Sequence, residues 1–159
     1  MLFETYSLGK IKNKIANTEP IFRNSDLIDI NVRSVKSGDI NNSHEFTNGL
    51  TSYEFCNLSR FAGLSKNLDL ISFSSSYQSS AISSLISEGI WYAIDGINNL
   101  IIENIDLNSD NFTVYNVTVN NYDLKFVKSL ITNRWWVSLE NTNLVPVSYT
   151  HLTLPTSPK

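Results

Sequence analysis

The sequence predicts an α/β fold followed by a small antiparallel β appendage. Two patterns carry this reading. Up to about Ile102, short strand-like runs alternate with helix-period apolar spacing, the order expected of parallel strands covered by crossover helices. Beyond Ile102 the runs "NFTVYNVTV", "YDLKFVKSL" and "NRWWVSLE" are β-branched and aromatic with polar alternation, which predicts hairpins. The 159-residue chain uses Ser 22 times and Asn 20 times, yet its 42% hydrophobic content and periodic apolar runs place it among folded chains rather than linkers.

The elements follow in order. Leu8, Ile11 and Ile15 are spaced like one helical face, and Pro20 restarts or breaks that helix before Ile21 and Phe22. "DLIDINVRSV" sets Leu27 against Ile28, Ile30 and Val32 as a short strand, with Asn31 and Arg33 on its polar face. A loop through Gly38 and Asn41 follows. Thr51 and Glu54 stand in the capping-box relation at the start of "SYEFCNLSRFA", and Gly63 suits that helix's end. "NLDLISFS" reads as a second strand. The helix "SSAISSLISEGIWYAIDGI" carries an apolar stripe of Ile82, Leu85, Ile86, Ile90 and Ile94, with small Ser residues that allow close packing. In the appendage "VNNYD" turns the first hairpin. Trp135 and Trp136 point to opposite faces of their strand, so at most one enters the main core from that element. Structural anchoring is the favoured role of the pair, ahead of a partner surface or a ligand-stacking platform.

Composition removes several classes of function. A net charge of −3 gives no bulk electrostatic case for nucleic-acid binding. No apolar run approaches the roughly 20 residues of a membrane span, and the start "MLFETYSLGKIKNK" is a poor signal peptide, so a cytoplasmic setting is expected. The Asn-x-Ser/Thr matches at Asn41, Asn57, Asn111 and Asn116 are chance products of the composition. A single cysteine forms no internal disulfide or multi-cysteine metal site, and Cys56 reads as a buried small hydrophobe.

General α/β rules place a site at the carboxyl end of the parallel strands, where Asn31, Arg33, Lys36, Asp39 and the Ser74 to Ser76 turn gather. Asp26, Asp29 and Asp39 read more simply as solvated loop or strand-end acids. The chain has no Asp-x-Asp, His-x-x-x-Asp or His-x-x-His spacing; His44 stands alone in a polar loop and His151 lies in an atypical tail, so a metal centre built by this chain alone is not expected. No Gly-x-Ser-x-Gly elbow and no Gly-rich phosphate cradle occur. Arg60 suits an anion, although solvent exposure or a salt bridge is the commoner fate of such a residue.

The blocks "LFETYSLGKIKNKIANTEPIFRNSDLIDINVRSVKSGD", "TNGLTSYEFCNLSRFAGLS" and "IWYAIDG" resemble the C-terminal part of the arginase, agmatinase and formimidoylglutamase family. The resemblance is closest to its bacterial formimidoylglutamase-like branch. "NFTVYNVTV" through "RWWVSLENTNLVP" is similar to the β extension of that branch, so the resemblance covers roughly residues 2 to 146. It implies the C-terminal part of a three-layer parallel-sheet fold. It also implies a hydrolase that uses two manganese ions to activate water against a guanidino or formimino carbon, with carboxylates holding both metals.

Carried onto this chain, the family's metal-binding Asp-x-Asp falls on "INVR", so the two ligand positions are Asn31 and Arg33. A neutral amide and a cation replace two carboxylates. The later family strand, which leads to a substrate-orienting Glu, runs here as "ISFSSSYQSSA". The family's other His and Asp-x-His-x-Asp ligands lie upstream of this sequence.

The expected organisation is a partial arginase-like α/β domain over residues 1–102, a β-rich extension over 103–146 and a disordered, non-native tail over 147–159. That tail, "VSYTHLTLPTSPK", resembles translated sequencing-adapter read-through. The expected function is that of a fragment whose complete parent hydrolyses a linear amidine with manganese. The alternative is a noncatalytic homologue serving as a structural or binding subunit. For the chain itself no catalytic residue and no cofactor are expected. The reading leaves room for a homo-oligomer in a full-length parent, and expects no nucleic-acid or membrane partner. It also predicts exposed sheet edges and marginal stability.

Overall fold

A computed structural model describes residues 5–41, 46–119, 122–139 and 142–147. The chain divides into two compact units, Met1–Leu100 and Ile101–Lys159. His44 and His151 lie outside the described residues.

In the first unit, α1 (Leu8–Asn13) is followed by a 3-10 turn (Ile15–Thr18) and α2 (Glu19–Phe22). The single helical face spaced through Leu8, Ile11 and Ile15 is interrupted at Lys14, whose φ of −157° is not helical. Pro20 then sits in the first turn of α2, where its missing N–H costs no hydrogen bond. Strand β1 (Leu27–Asn31) passes into a 3-10 turn (Val32–Ser34) and α3 (Ser37–Ile40), which Asn41 ends in the left-handed region at φ 50°. Asn tolerates that conformation better than other residues with a Cβ.

The long helices form where the sequence signals place them. Thr51 and Glu54 make the full capping box of α4 (Ser52–Gly63): each side chain binds the other's backbone N–H. Strand β2 (Leu70–Ser74) leads into α5 (Ser80–Asn98), capped by the Ser79 hydroxyl, which accepts from the Ile82 N–H at 3.2 Å.

β1 and β2 pair in parallel, with Ile28 opposite Ile71, Ile30 opposite Phe73 and Asn31 opposite Ser74. Ile28 and Ile30, with Ile71 and Phe73, face a core completed by Phe55, Cys56 and Ala62 of α4 and Ile82 and Leu85 of α5. Both helices therefore cover the same face of the sheet. On the opposite face Leu27 is 66% and Leu70 51% exposed. Among the described residues the first unit thus has two layers, a sheet and a pair of helices.

The stripe of α5 also departs from its apolar spacing. Ile82 and Leu85 are buried, but the inward line continues through Gly89, Ala93 and Gly96, while Ile90 and Ile94 lie exposed. The cause is the close crossing of α4 and α5: a Cβ built on Gly63 would lie 2.1 Å from the Ala93 carbonyl oxygen, and one on Gly96 would lie 2.3 Å from that of Arg60. Branched side chains cannot enter a contact that already brings backbone against backbone.

The second unit is an antiparallel sheet in the order β3 (Phe112–Val119), β4 (Tyr122–Ser129), β5 (Trp135–Leu139), β6 (Val145–Val147). Alternation puts Val127, Ser129, Trp136 and Ser138 on one face, and all four are buried. Tyr115, Phe126, Trp135 and Val137 share the other face. The Glu103 carboxylate accepts from the Ser129 and Thr132 hydroxyls and so ties residue 103 to the β4–β5 turn, which Asn133 completes at φ 57°. Val147, which composition assigns to the tail, is instead paired with Trp135 at the end of β6, a strand that three residues around Pro146 did not announce. Residues 148–159 lie outside the described residues.

Candidate functional site

The carboxyl ends of β1 and β2 lie side by side, as the parallel register requires. This brings Asn31 beside Ser74, but the side chains gathered there are already engaged in holding the backbone. Asn31 Oδ1 accepts the Arg33 backbone N–H at 2.9 Å, and the Ser34 hydroxyl donates to the Asn31 carbonyl at 2.8 Å, so Asn31 caps the turn that ends the strand. Arg33 is exposed in that turn. Two residues back on the same face, Asp29 accepts from the hydroxyls of Ser72 and, at 3.2 Å, Ser74. Its carboxylate is thus a cross-strand clasp rather than a simply solvated acid.

Lys36 and Asp39 belong to a different local structure. Asp39 Oδ2 accepts from the Ser52 N–H at 2.8 Å and from its hydroxyl at 3.2 Å, and Lys36 Nζ lies 3.0 Å from Oδ1. The hydrogen bond from the Ser52 backbone, seconded by Lys36, holds the Asp39 carboxyl below its ordinary value. Asp39 therefore fastens α3 to the start of α4, where a carboxylate also suits the exposed N–H groups of the first helical turn.

Beyond β2, Ser75 and Tyr77 close a local turn, the Ser75 hydroxyl donating to the Tyr77 carbonyl at 2.7 Å. The turn opens one side of a cleft of about 570 Å³ lined by Ser75, Tyr77, Gln78, Ser79, Ile82, Ser83 and Ile86. The lining offers hydroxyl, amide and apolar groups but no charged side chain. It is wide open to solvent, and its lining places no histidine, lysine or carboxylate beside a serine hydroxyl to act as a base.

The remaining candidates are structural in their surroundings. Cys56 is buried, and desolvation, with Glu88 second, pushes its thiol above the ordinary value, which opposes the thiolate needed for nucleophilic chemistry. Arg60 Nε donates to Asp95 Oδ2 at 2.6 Å across the α4–α5 crossing, so the salt bridge rather than the anion site is realised. A second pair was not apparent in the sequence: Arg23 forks onto both carboxylate oxygens of Glu19, at 3.2 and 2.5 Å. The i, i+4 spacing of these residues across Pro20 was the available signal.

In the second unit Trp135 stacks on Tyr115 with ring centroids 5.7 Å apart, and Lys128 Nζ lies 5.7 Å from the Trp135 ring centre. Trp136 is buried and meets Phe112 edge-on. The two indoles do point to opposite faces of β5.

Manganese at the family's Asp-x-Asp positions is not a fit for these residues. Asn31 offers one neutral oxygen that already accepts a backbone hydrogen bond, and Arg33 brings a positive charge. Among the described residues no group of three His, Cys, Asp or Glu side chains converges. Among them too, no helix is long and apolar enough to cross a membrane.

Fold and site together define a two-layer α/β unit with an open sheet face, followed by an antiparallel sheet. No family model, no curated protein and no solved structure matches the chain.

Proposed function

We propose that this chain is an arginase-like scaffold segment that does not carry dimetal chemistry itself. The single observation behind this reading is the Asn31–Arg33 hydrogen bond, 2.9 Å long. In the family resembled, both positions hold aspartates that bind metal; here the first ends a strand by capping a turn and the second is a guanidinium. Hydrolysis of a guanidino or formimino C–N bond is then the work of a longer polypeptide that supplies the histidine and aspartate ligands. The open face carrying Leu27 and Leu70 is where the third layer of such a fold would lie. A noncatalytic homologue, in which the same strand ends serve only structure, shares the same central observation and is favoured further by the positive charge of Arg33.

The test compares the chain as it stands with the Asn31→Asp, Arg33→Asp double variant, measuring manganese content after dialysis and release of urea or formamide from guanidino and formimino substrates. The scaffold reading expects neither metal nor turnover from the unaltered chain. Retention of two manganese ions by the unaltered chain would overturn it.

A further inference from the structure

The β3–β6 sheet has two very different edges. β6 is three residues long and centred on Pro146, which has no N–H to donate, so that edge is blunted against further pairing. β3 runs for eight residues, FTVYNVTV, without Pro, Gly or a charge. Its β-branched and aromatic residues suit strand pairing.

The register identifies the backbone groups that face outward. The Leu130 N–H donates to the Asn111 carbonyl at 2.8 Å, which makes Phe112 and Ser129 a non-hydrogen-bonded pair. Antiparallel alternation then assigns Thr113, Tyr115, Val117 and Val119 to hydrogen bonding with β4. Val114, Asn116 and Thr118 turn their N–H and C=O groups away from it. An edge of this length is ordinarily protected by a lysine, a proline or a bulge; β3 has none of these.

We propose that β3 pairs antiparallel with β3 of a second copy of this chain, joining the two sheets edge to edge. The edge is complementary to itself. With the two-fold axis at Asn116, Val114 meets Thr118 and Tyr115 meets Val117 on matching faces, the outward residues form the hydrogen-bonded pairs, and no like charges oppose one another. Because β6 is blunt, the assembly closes at two copies instead of growing into a filament. The proposal is independent of the metal-site reading, since it uses no residue of β1.

Sedimentation equilibrium of the full chain tests it, together with hydrogen exchange read residue by residue. A reversible dimer is expected, with slow exchange at Val114, Asn116 and Thr118. Asn116→Lys places two ammonium groups near the axis and is expected to weaken dimerisation by at least about tenfold, while Val145→Lys on β6 leaves it unchanged. A monomer throughout the micromolar range, a dimer indifferent to Asn116→Lys, equal weakening by Val145→Lys, or open-ended assembly would each overturn the proposal. If Asn116→Lys does not fold, the unaltered protein still decides: fast exchange of those three amides within a dimer contradicts β3 pairing.

Discussion

The Ala93 carbonyl oxygen lies 2.1 Å from the point that a Cβ on Gly63 would occupy. This contact fixes how closely α4 and α5 cross, and with it the small-residue line Gly89, Ala93, Gly96 that α5 turns toward its partner. Replacing Gly63 by Ala at the last residue of α4 gains less than the about 1 kcal/mol of helix propensity that the change brings in a helix interior, and the collision is with backbone, which cannot rotate away. The net outcome expected for Gly63→Ala is a loss of about 2 kcal/mol or more, read as a lower midpoint in urea unfolding. Gly9→Ala, in open space on α1, should not share that loss.

The Asn31 side chain gives a test that separates a cap from a metal ligand. Asp caps a turn as well as Asn does, whereas Ala does not. Asn31→Asp should therefore keep stability within about 0.5 kcal/mol, and Asn31→Ala should lose about 1 kcal/mol. Equal effects from the two variants in chemical unfolding would contradict the capping role.

Asp39 supplies the pH dependence. Its carboxyl is held below the ordinary value by the Ser52 N–H and then by Lys36, so its folded pKa is lower than its unfolded one. The resulting stabilisation is fully present above the unfolded value of about 3.9 and is lost as pH falls through the lower folded value. Thermal unfolding of Asp39→Asn across that acid range should show a shallower fall in stability than the unaltered chain. Identical acid limbs would show that the Ser52 contact does not persist in solution.

The two tryptophans of β5 should respond unequally. Trp136 is buried against Phe112, and Trp136→Ala is expected to cost about 3–5 kcal/mol. Trp135 is half-buried and contributes mainly its stack on Tyr115, so Trp135→Ala should cost about 1 kcal/mol. Denaturant midpoints of the two variants measure the difference.

Local signals were the most legible part of this sequence. The Thr51–Glu54 box and the alternation of β3, β4 and β5 each depend on residues within one element, and each appears in the structure. The α5 stripe was misplaced because apolar spacing ranks Ile90 and Ile94 above Gly and Ala, while helix crossing selects for small size. Lys14 broke the first helical face, and β6 escaped notice because its pairing is set by β5 across the sheet rather than by its own three residues. At the candidate site the sequence could place Asn31, Arg33 and Ser74 near the strand ends. The hydrogen bond that occupies Asn31 depends on a turn geometry that spacing alone does not specify, and the clasp of Asp29 by Ser72 and Ser74 depends on a parallel register between segments some 43 residues apart.

The central claim, that these strand ends serve structure instead of holding manganese, meets its most direct test in titration of the unaltered chain with Mn(II), following the paramagnetic signal of the free ion. Free manganese is expected to rise in proportion to the amount added, with no saturable binding. Saturation at two ions per chain, abolished by Asn31→Ala, would contradict it.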